Sequence, residues 1–409
     1  MSELMNRPRW LRELQRQARL SWAERGFPDR RREEEWRWTD LTPLKQKAFP
    51  IAECPGGVTR EQLSRWCFGE CHRLVLVDGF FQPECSDWPP GLELEELPRA
   101  CRRDEVEALL GQVVDGEHGL IQLNTAHFQS GLYLRVQRPI ERPLQLLCLQ
   151  SKPETALPRS LIVLEKEVSL TLIETFVSLG EGLTSSVAEV VLQEGATLDH
   201  IKLQLEHDHH FHFGGLYVRQ RSASRFRQFH FAHGSRIART EIHVHLQGEA
   251  GVAQLTGLHL ATGRRHLDSH TWIWHEASRC ESRDRYKSIA AQRGRSAFQG
   301  RIVVQEGAVG SDAHMEHRGL LLSEQAEIDA KPQLEIYCDD VRCTHGVAIG
   351  RLDSEAIFYL QSRGISKKEA QWLLLEGFVN ELLETVRVET VRGCLQQDFR
   401  KLLQQLPVE

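Results

Sequence analysis

The chain has 409 residues, 41% of them hydrophobic and 26% charged, so it carries enough apolar surface to offset chain entropy and is not a disordered polymer. Its formal net charge of -6 argues against a nucleic-acid binder, and the arginines alternate with acids, as in Arg30-Arg31-Arg32-Glu33-Glu34-Glu35, which reads as a solvated face. No apolar run approaches the roughly 18 residues of a membrane-spanning helix.

The stretch from Met1 to Trp10 has charges where a signal peptide would carry its apolar core, so export is not expected. Ten cysteines are too sparse for a disulfide scaffold. They are expected to be reduced thiols in the cytosol, open to soft-metal chemistry. Asn6 can cap a helix with Pro8 in its first turn. Trp10, Leu11, Leu14 and Ala18 then recur at helical spacing, and Gly26 is a plausible stop. From Asp40 to Glu117 the text is mixed, with prolines, scattered cysteines and a strand at Leu74–Val77. Residues 1–122 are thus read as a helical and mixed N-terminal region.

From about Leu123 the period changes to two. Ile201, Leu203 and Leu205 alternate with His200, Lys202, Gln204 and Glu206, and Ile242, Val244 and Leu246 alternate with Glu241, His243, His245 and Gln247. One apolar and one wet face is the pattern of a half-buried strand. Strand follows strand for some two hundred residues. A degenerate repeat marks the corners: Glu194-Gly195-Ala196, Gly248-Glu249-Ala250-Gly251, Glu306-Gly307-Ala308 and the glycine-free Glu324-Gln325-Ala326. Small residues at recurring corners let the backbone turn and neighbouring coils approach. A mainly β fold follows, with a right-handed parallel β-helix over 123–348; a β-sandwich pair is the alternative.

After Gly350 helical periodicity returns over 349–409. Asp353 can cap Ser354–Ser362, with Gly364 ending it in the left-handed conformation. Ser366 and Glu369 form a capping box opening a helix with Ala370, Leu373, Leu374, Gly377 and Phe378 on one stripe. A last amphipathic helix shows Leu395, Phe399, Leu402, Leu403 and Leu406.

Nineteen histidines invite a metal reading, most of all in the tract Glu206–His212. There His210 and His212 alternate with Phe211 and Phe213, so surface histidine on a wet strand face is the favoured reading over a metal site. Cys67, Cys71 and His72 lack a second ligand pair at zinc-ribbon spacing and read as structural cysteine. The chain has no Gly-Lys dipeptide, hence no phosphate loop of the Walker type, and no Gly-x-Ser-x-Gly elbow. On an extended strand Cys343 and His345 point to one face. A thiolate beside an imidazole is half of an iron or zinc site, to be completed from elsewhere or from another chain. A buried cysteine beside a satisfied histidine fits the same spacing.

The text from Asp268 to Phe378 closely resembles the SufB/SufD family of iron–sulfur cluster assembly proteins. The resemblance rests on Cys280-Glu-Ser-Arg283, Tyr286-Lys287, Phe298-Gln-Gly-Arg-Ile302, Leu320-Leu-Leu-Ser323 and Lys331-Pro-Gln-Leu-Glu-Ile336. It continues through Asp339-Asp-Val-Arg-Cys-Thr-His-Gly346 and Phe358-Tyr-Leu-Gln-Ser-Arg-Gly364. Looser matches are Leu123-Asn-Thr-Ala126 and Gly26–Leu44, whose Glu35-Trp-Arg-Trp-Thr39 looks like the D rather than the B member. The resemblance implies a right-handed β-helix with helical ends and a cytosolic complex containing a SufB-like paralogue, met through the β-helix end. It also implies SufC-like ABC ATPases, docked on the C-terminal helices and supplying the ATP hydrolysis. This chain would then be a scaffold with no catalytic engine, binding neither nucleic acid nor membrane. Clusters would be built with sulfur delivered as persulfide. The family's cluster-assembly histidine falls on His345, with Cys343 beside it. The cluster or iron would be transient, held at the subunit interface and not permanently by this chain alone. Thr344 replaces a usual serine. Cys338 stands where the family usually has no cysteine, and is either a third ligand or incidental. Two rival functions are a pure structural adaptor that does not touch iron and a β-helix carbohydrate-active enzyme.

Overall fold

The computed structural model describes residues 7–114 and 119–405. The first helix, α1, is Arg9–Arg25. Leu11 and Ala18 are buried, and Trp10 and Leu14 pack half-buried beside them. Gly26 ends it at φ +59°, its N–H donating to the Trp22 carbonyl. Pro8 stands just ahead of the helix rather than in its first turn; the Asn6 cap lies outside the described residues. Arg30, Arg31 and Arg32 are exposed, as expected of a solvated run. Single helical turns at Thr42–Lys45, Arg60–Ser64, Leu97–Ala100 and Asp104–Glu107 precede α2, Gly119–His127. The change of period expected near Leu123 therefore falls inside a helix. Leu120, Ile121, Leu123 and Ala126 bury there, and an apolar run this short does not distinguish helix from strand.

The described strands are, in chain order, β1 (His72–Val77), β2 (Phe80–Phe81), β3 (Leu92–Glu96), β4 (Leu132–Val136), β5 (Leu144–Gln150), β6 (Thr155–Ala156), β7 (Arg159–Leu164), β8 (Ser169–Ser178), β9 (Leu183–Leu192) and β10 (Thr197–Gln204). They continue as β11 (Phe211–Gln220), β12 (Arg225–Ala232), β13 (Ile237–Leu246), β14 (Val252–Ala261), β15 (His266–His275), β16 (Glu281–Ala290), β17 (Arg295–Val304), β18 (Asp312–Leu321), β19 (Glu327–Ile336) and β20 (Arg342–Gly350).

From β7 onward, successive strands fall alternately into two sheets. One runs β2-β1-β5-β8-β10-β12-β14-β16-β18-β20, the other β19-β17-β15-β13-β11-β9-β7-β4-β3. Neighbours come from successive coils and pair in parallel, except for β1 with β2 and β3 with β4, which are antiparallel. This is a parallel β-solenoid of about eight turns, and the sandwich alternative is set aside. Like side chains stack rung on rung: Leu134, Ile162, Val190, Val218, Val244, Ile273, Ile302 and Leu334 form one inward row. β-Branched residues suit such a row because their stiff side chains pack on a pleated surface. The repeat found in the sequence sits at the corners. Gly195 (φ +70°), Ala250 (φ +54°) and Gly307 (φ +84°) turn the chain there, and a Cβ on Gly248 would lie 2.0 Å from the Ser222 nitrogen. Only glycine lets those two coils approach so closely.

The half-buried strand expected at Ile201–Glu206 is corrected: both of its faces are covered. Ile201 and Leu203 face outward under the C-terminal helices. His200, Lys202 and Gln204 face the solenoid interior and are buried too, as is Glu206 just after the strand. The N-terminal Glu35-Trp36-Arg37-Trp38-Thr39 text docks on the outside of the other sheet. Trp36 lies 3.8 Å beneath the Arg239 guanidinium, Arg239 donates to the Glu35 carbonyl at 2.7 Å, and Thr39 donates to Asp268 at 2.5 Å.

Candidate functional site

At the N-terminal end of the solenoid the sheets finish in strands β2 and β3, which fold back antiparallel on β1 and β4. At the other end, β20 and β19 are the last strands of their sheets and have no further partner in the described chain. Ile336, Tyr337, Val347 and Ile349 are exposed there at 44, 60, 43 and 40%. An unpaired strand edge flanked by apolar side chains is a template for a partner strand.

The sequence-predicted ligands lie on this open end. In the parallel register Cys343 stands opposite Ala313 and His345 opposite Met315. Ala313 and Met315 belong to the buried interior, so alternation directs Cys343 and His345 inward over the last closed rung. His345 is exposed because no later coil covers it, while Cys343 is half-buried against the core. Cys338, in the loop joining β19 to β20, packs on the same core. Thr344 points outward, and its Oγ1 is 2.6 Å from His314 Nδ1. Burial, and then the Asp312 carboxylate, push the Cys343 thiol up, against a lowering hydrogen bond from the Ala313 backbone. It is a protonated thiol that a bound cation would have to deprotonate. Among the described residues no group of three or more His, Cys, Asp or Glu is placed to hold a metal ion. The chain thus presents two inward-facing donors, not a complete site. The surface-histidine reading of Glu206–His212 needs correction in part. His207 and His209 are exposed, but His210 and His212 are buried, and His212 Nδ1 lies 2.6 Å from Glu206 Oε1. Cys67 and Cys71 are half-buried free thiols packed on hydrophobic clusters.

Behind the open end the interior is half apolar, half polar. His200 Nε2 meets Glu174 at 2.9 Å. His259 lies 2.8 Å from both Ser269 and Ser296, and Ser296 is 2.8 Å from Ser288. Ser288 is in turn 3.0 Å from His317. Burial holds His259 down to about 4 and His317 to about 3, so these imidazoles are neutral. Burial works to raise the Glu206 carboxyl, but His212 overcomes it and the group falls to about 2. Alternation in the sequence marks these residues as one face; it carries no signal of which face looks inward.

The C-terminal helices are α3 (Ser354–Ser362), α4 (Lys367–Leu383) and α5 (Glu389–Gln405). Asp353 caps α3 through a 2.9 Å bond from the Glu355 N–H, and Gly364 follows at φ +87°. The Ser366–Glu369 capping box of α4 is formed. The expected stripe on α4 is corrected: Leu373 and Gly377 are exposed, Leu374 and Phe378 half-buried, and the buried face is Ala370, Gln371, Leu375, Val379, Leu382 and Leu383. With Leu395, Phe399 and Leu403 of α5, this face covers Ile201, Leu203, Phe229, Phe231, Leu258 and Leu260 of the first sheet. Leu406 lies outside the described residues. Helix α3 buries no residue, and its Phe358 and Tyr359 are 73 and 59% exposed.

Residues 147–378, more than half of the chain, match the family described as SUF system FeS cluster assembly, SufBD core domain. The chain belongs to the SufBD family. It is 32% identical over 395 residues to the iron–sulfur cluster assembly protein SufD of Escherichia coli, covering 93% of this chain and 90% of that protein. A SufBD family protein of Synechocystis is 29% identical over 391 residues, covering 90% and 86%. The SufD of Bacillus subtilis is 28% identical over 290 residues, covering 68% and 65%. The SufBD match runs from within β5 to β20 and on through α3 and most of α4, so the open end and α3 lie inside the family region. No helix of the described residues is long and apolar enough to cross a membrane.

Proposed function

We propose that this SufBD protein is a SufD-like scaffold subunit of a Suf iron–sulfur cluster assembly complex. The observation that carries the reading is the pairing of Cys343 and His345, turned inward, on β20, which with β19 ends the solenoid without a further partner in the described chain. A SufB-like paralogue covers the open end by adding strands to both sheets. It supplies the remaining donors for a nascent cluster, which is cargo rather than a resident cofactor. A thiolate and an imidazole suit iron, and a site with one histidine holds the cluster less firmly than a full thiolate set, which suits hand-over. Iron binding displaces the Cys343 proton, so loading weakens as pH falls. Cys338, packed on the same core, is within the same end and is the reserve donor.

A SufC-like ABC ATPase docks on α3 and the exposed face of α4. Phe358 and Tyr359, on a helix that buries nothing of its own, suit the centre of such an interface, where aromatics dominate binding. ATP hydrolysis belongs to that partner, and this chain works in the cytosol, where its ten free cysteines stay reduced.

The test is the complex of the three proteins carrying His345→Ala. The expected result is an assembled complex with less iron and acid-labile sulfide after anaerobic reconstitution. Normal cluster content would leave the pure adaptor reading in its place.

A further inference from the structure

The apolar seat of α4 on the first sheet gives way to charge as it reaches β16. There the Glu381 carboxylate is shared between two cations of that strand, Oε1 accepting from Arg285 and Oε2 from Lys287. Lys287 is only 4% exposed at its side chain. Its amine also donates to the Phe378 carbonyl at 2.7 Å and lies 4.6 Å from the centre of the Phe378 ring. A buried ammonium held by one carboxylate and one carbonyl cannot release the helix without losing its compensation. The charges continue outward along the sheet. Arg285 reaches Glu316 of β18 at 3.8 Å, and Arg318 holds the same carboxylate at 2.5 Å. Glu316 stands opposite Gly346 of β20, the residue after His345.

We propose that Glu381 and Lys287 form a tie that transmits movement of α4 to the open end, making them positioning residues for the Cys343–His345 site. This rests on the docking of an ATPase at α3 and α4. A helix moved by its ATPase drags β16 through the tie, and β16 is bonded through β18 to the strand that carries the site. Apolar packing further along α4 can slide; a shared carboxylate between a buried amine and a guanidinium fixes one register.

The experiment measures alkylation of Cys343, read at its own peptide by mass spectrometry, in the assembled three-protein complex with and without a non-hydrolysable ATP analogue. The natural complex is expected to change its Cys343 alkylation rate by about fivefold or more on nucleotide binding. The comparison is the double variant Glu381→Gln with Lys287→Met, which removes the tie without stranding a buried charge, taken at equal ATPase occupancy by native mass spectrometry. The nucleotide-dependent change is expected to vanish there. Three results would overturn the tie: an unchanged response in the double variant, no response in the natural complex, or loss of ATPase binding in the double variant, which would make Glu381 part of the docking surface instead. None of these bears on the His345→Ala result, so failure of the tie and failure of the cluster-site reading are separable.

Discussion

Asp284 lies two rungs behind His345 in one inward row, with Met315 between them. Its side chain is buried, and its Oδ2 accepts from the Thr271 hydroxyl at 2.5 Å. Burial, offset by that hydrogen bond, pushes the carboxyl up to about 7. The interior just behind the candidate site therefore holds a carboxylic acid close to neutrality at working pH.

The sign of the resulting pH effect follows from linkage. The folded chain binds this proton more tightly than the unfolded one, so the contribution of Asp284 to stability is full below about 4 and is lost as pH rises towards about 7, at about 1.4 kcal/mol per pH unit at most. Asp284→Asn keeps the shape and cannot ionise. It is expected to match the natural chain near pH 4 and to exceed its stability by a few kcal/mol, on the order of 2 to 4, above pH 7. Denaturant melts of both chains across that range check this, with parallel pH curves as the contrary outcome. The buried histidines His259 and His317 act in the opposite sense. Their folded values are depressed to about 4 and about 3, so their contribution is full above 6.5 and falls away in acid; they are common to both chains and cancel.

Tyr337 donates its N–H to Val304 of β17, so alternation turns the Ile336 N–H to the free edge of β19. Pro332 has the same parity, as a proline on an edge strand should. Ile336→Pro therefore removes no hydrogen bond within this chain but deletes one that a partner strand needs. The expected outcome is an unchanged far-ultraviolet dichroism and melting point with weaker association with the SufB-like paralogue by about tenfold, for one lost bond of about 1 to 1.5 kcal/mol. Equal affinity in a titration of the two purified proteins would place the shared edge elsewhere.

Phe358 and Tyr359 are exposed on a helix without a core of its own. Replacing both by alanine should leave stability within about 0.5 kcal/mol of the natural chain, as for surface positions elsewhere. Loss of two aromatic anchors at about 2 kcal/mol each should lower ATPase affinity by about a hundredfold or more. Denaturant melts read the stability and calorimetric titration with the ATPase reads the affinity, and affinity unchanged within about twofold would contradict the docking surface.

Features that depend only on neighbours along the chain are legible in the amino-acid text. The period of two, the glycine corners at Gly195 and Gly307, the stop at Gly26, the Asp353 cap and the Ser366–Glu369 box are local matters of backbone geometry and nearby hydrogen bonds. The same-face placement of Cys343 and His345 is local too, since it follows from strand alternation. Tertiary structure decided which face is inside. Ile201 and His200 belong to one strand, yet the apolar residue packs outward under α4 and the imidazole inward, because a sheet of a solenoid is covered on both sides when helices lie against it. It also decided that Leu123 is helical, that α4 buries Leu375 rather than Leu373, and that Cys343 and His345 stand on the last, uncovered rung. Each of these depends on which distant segment supplies the covering surface, and alternation within one segment is the same whichever side that surface comes from.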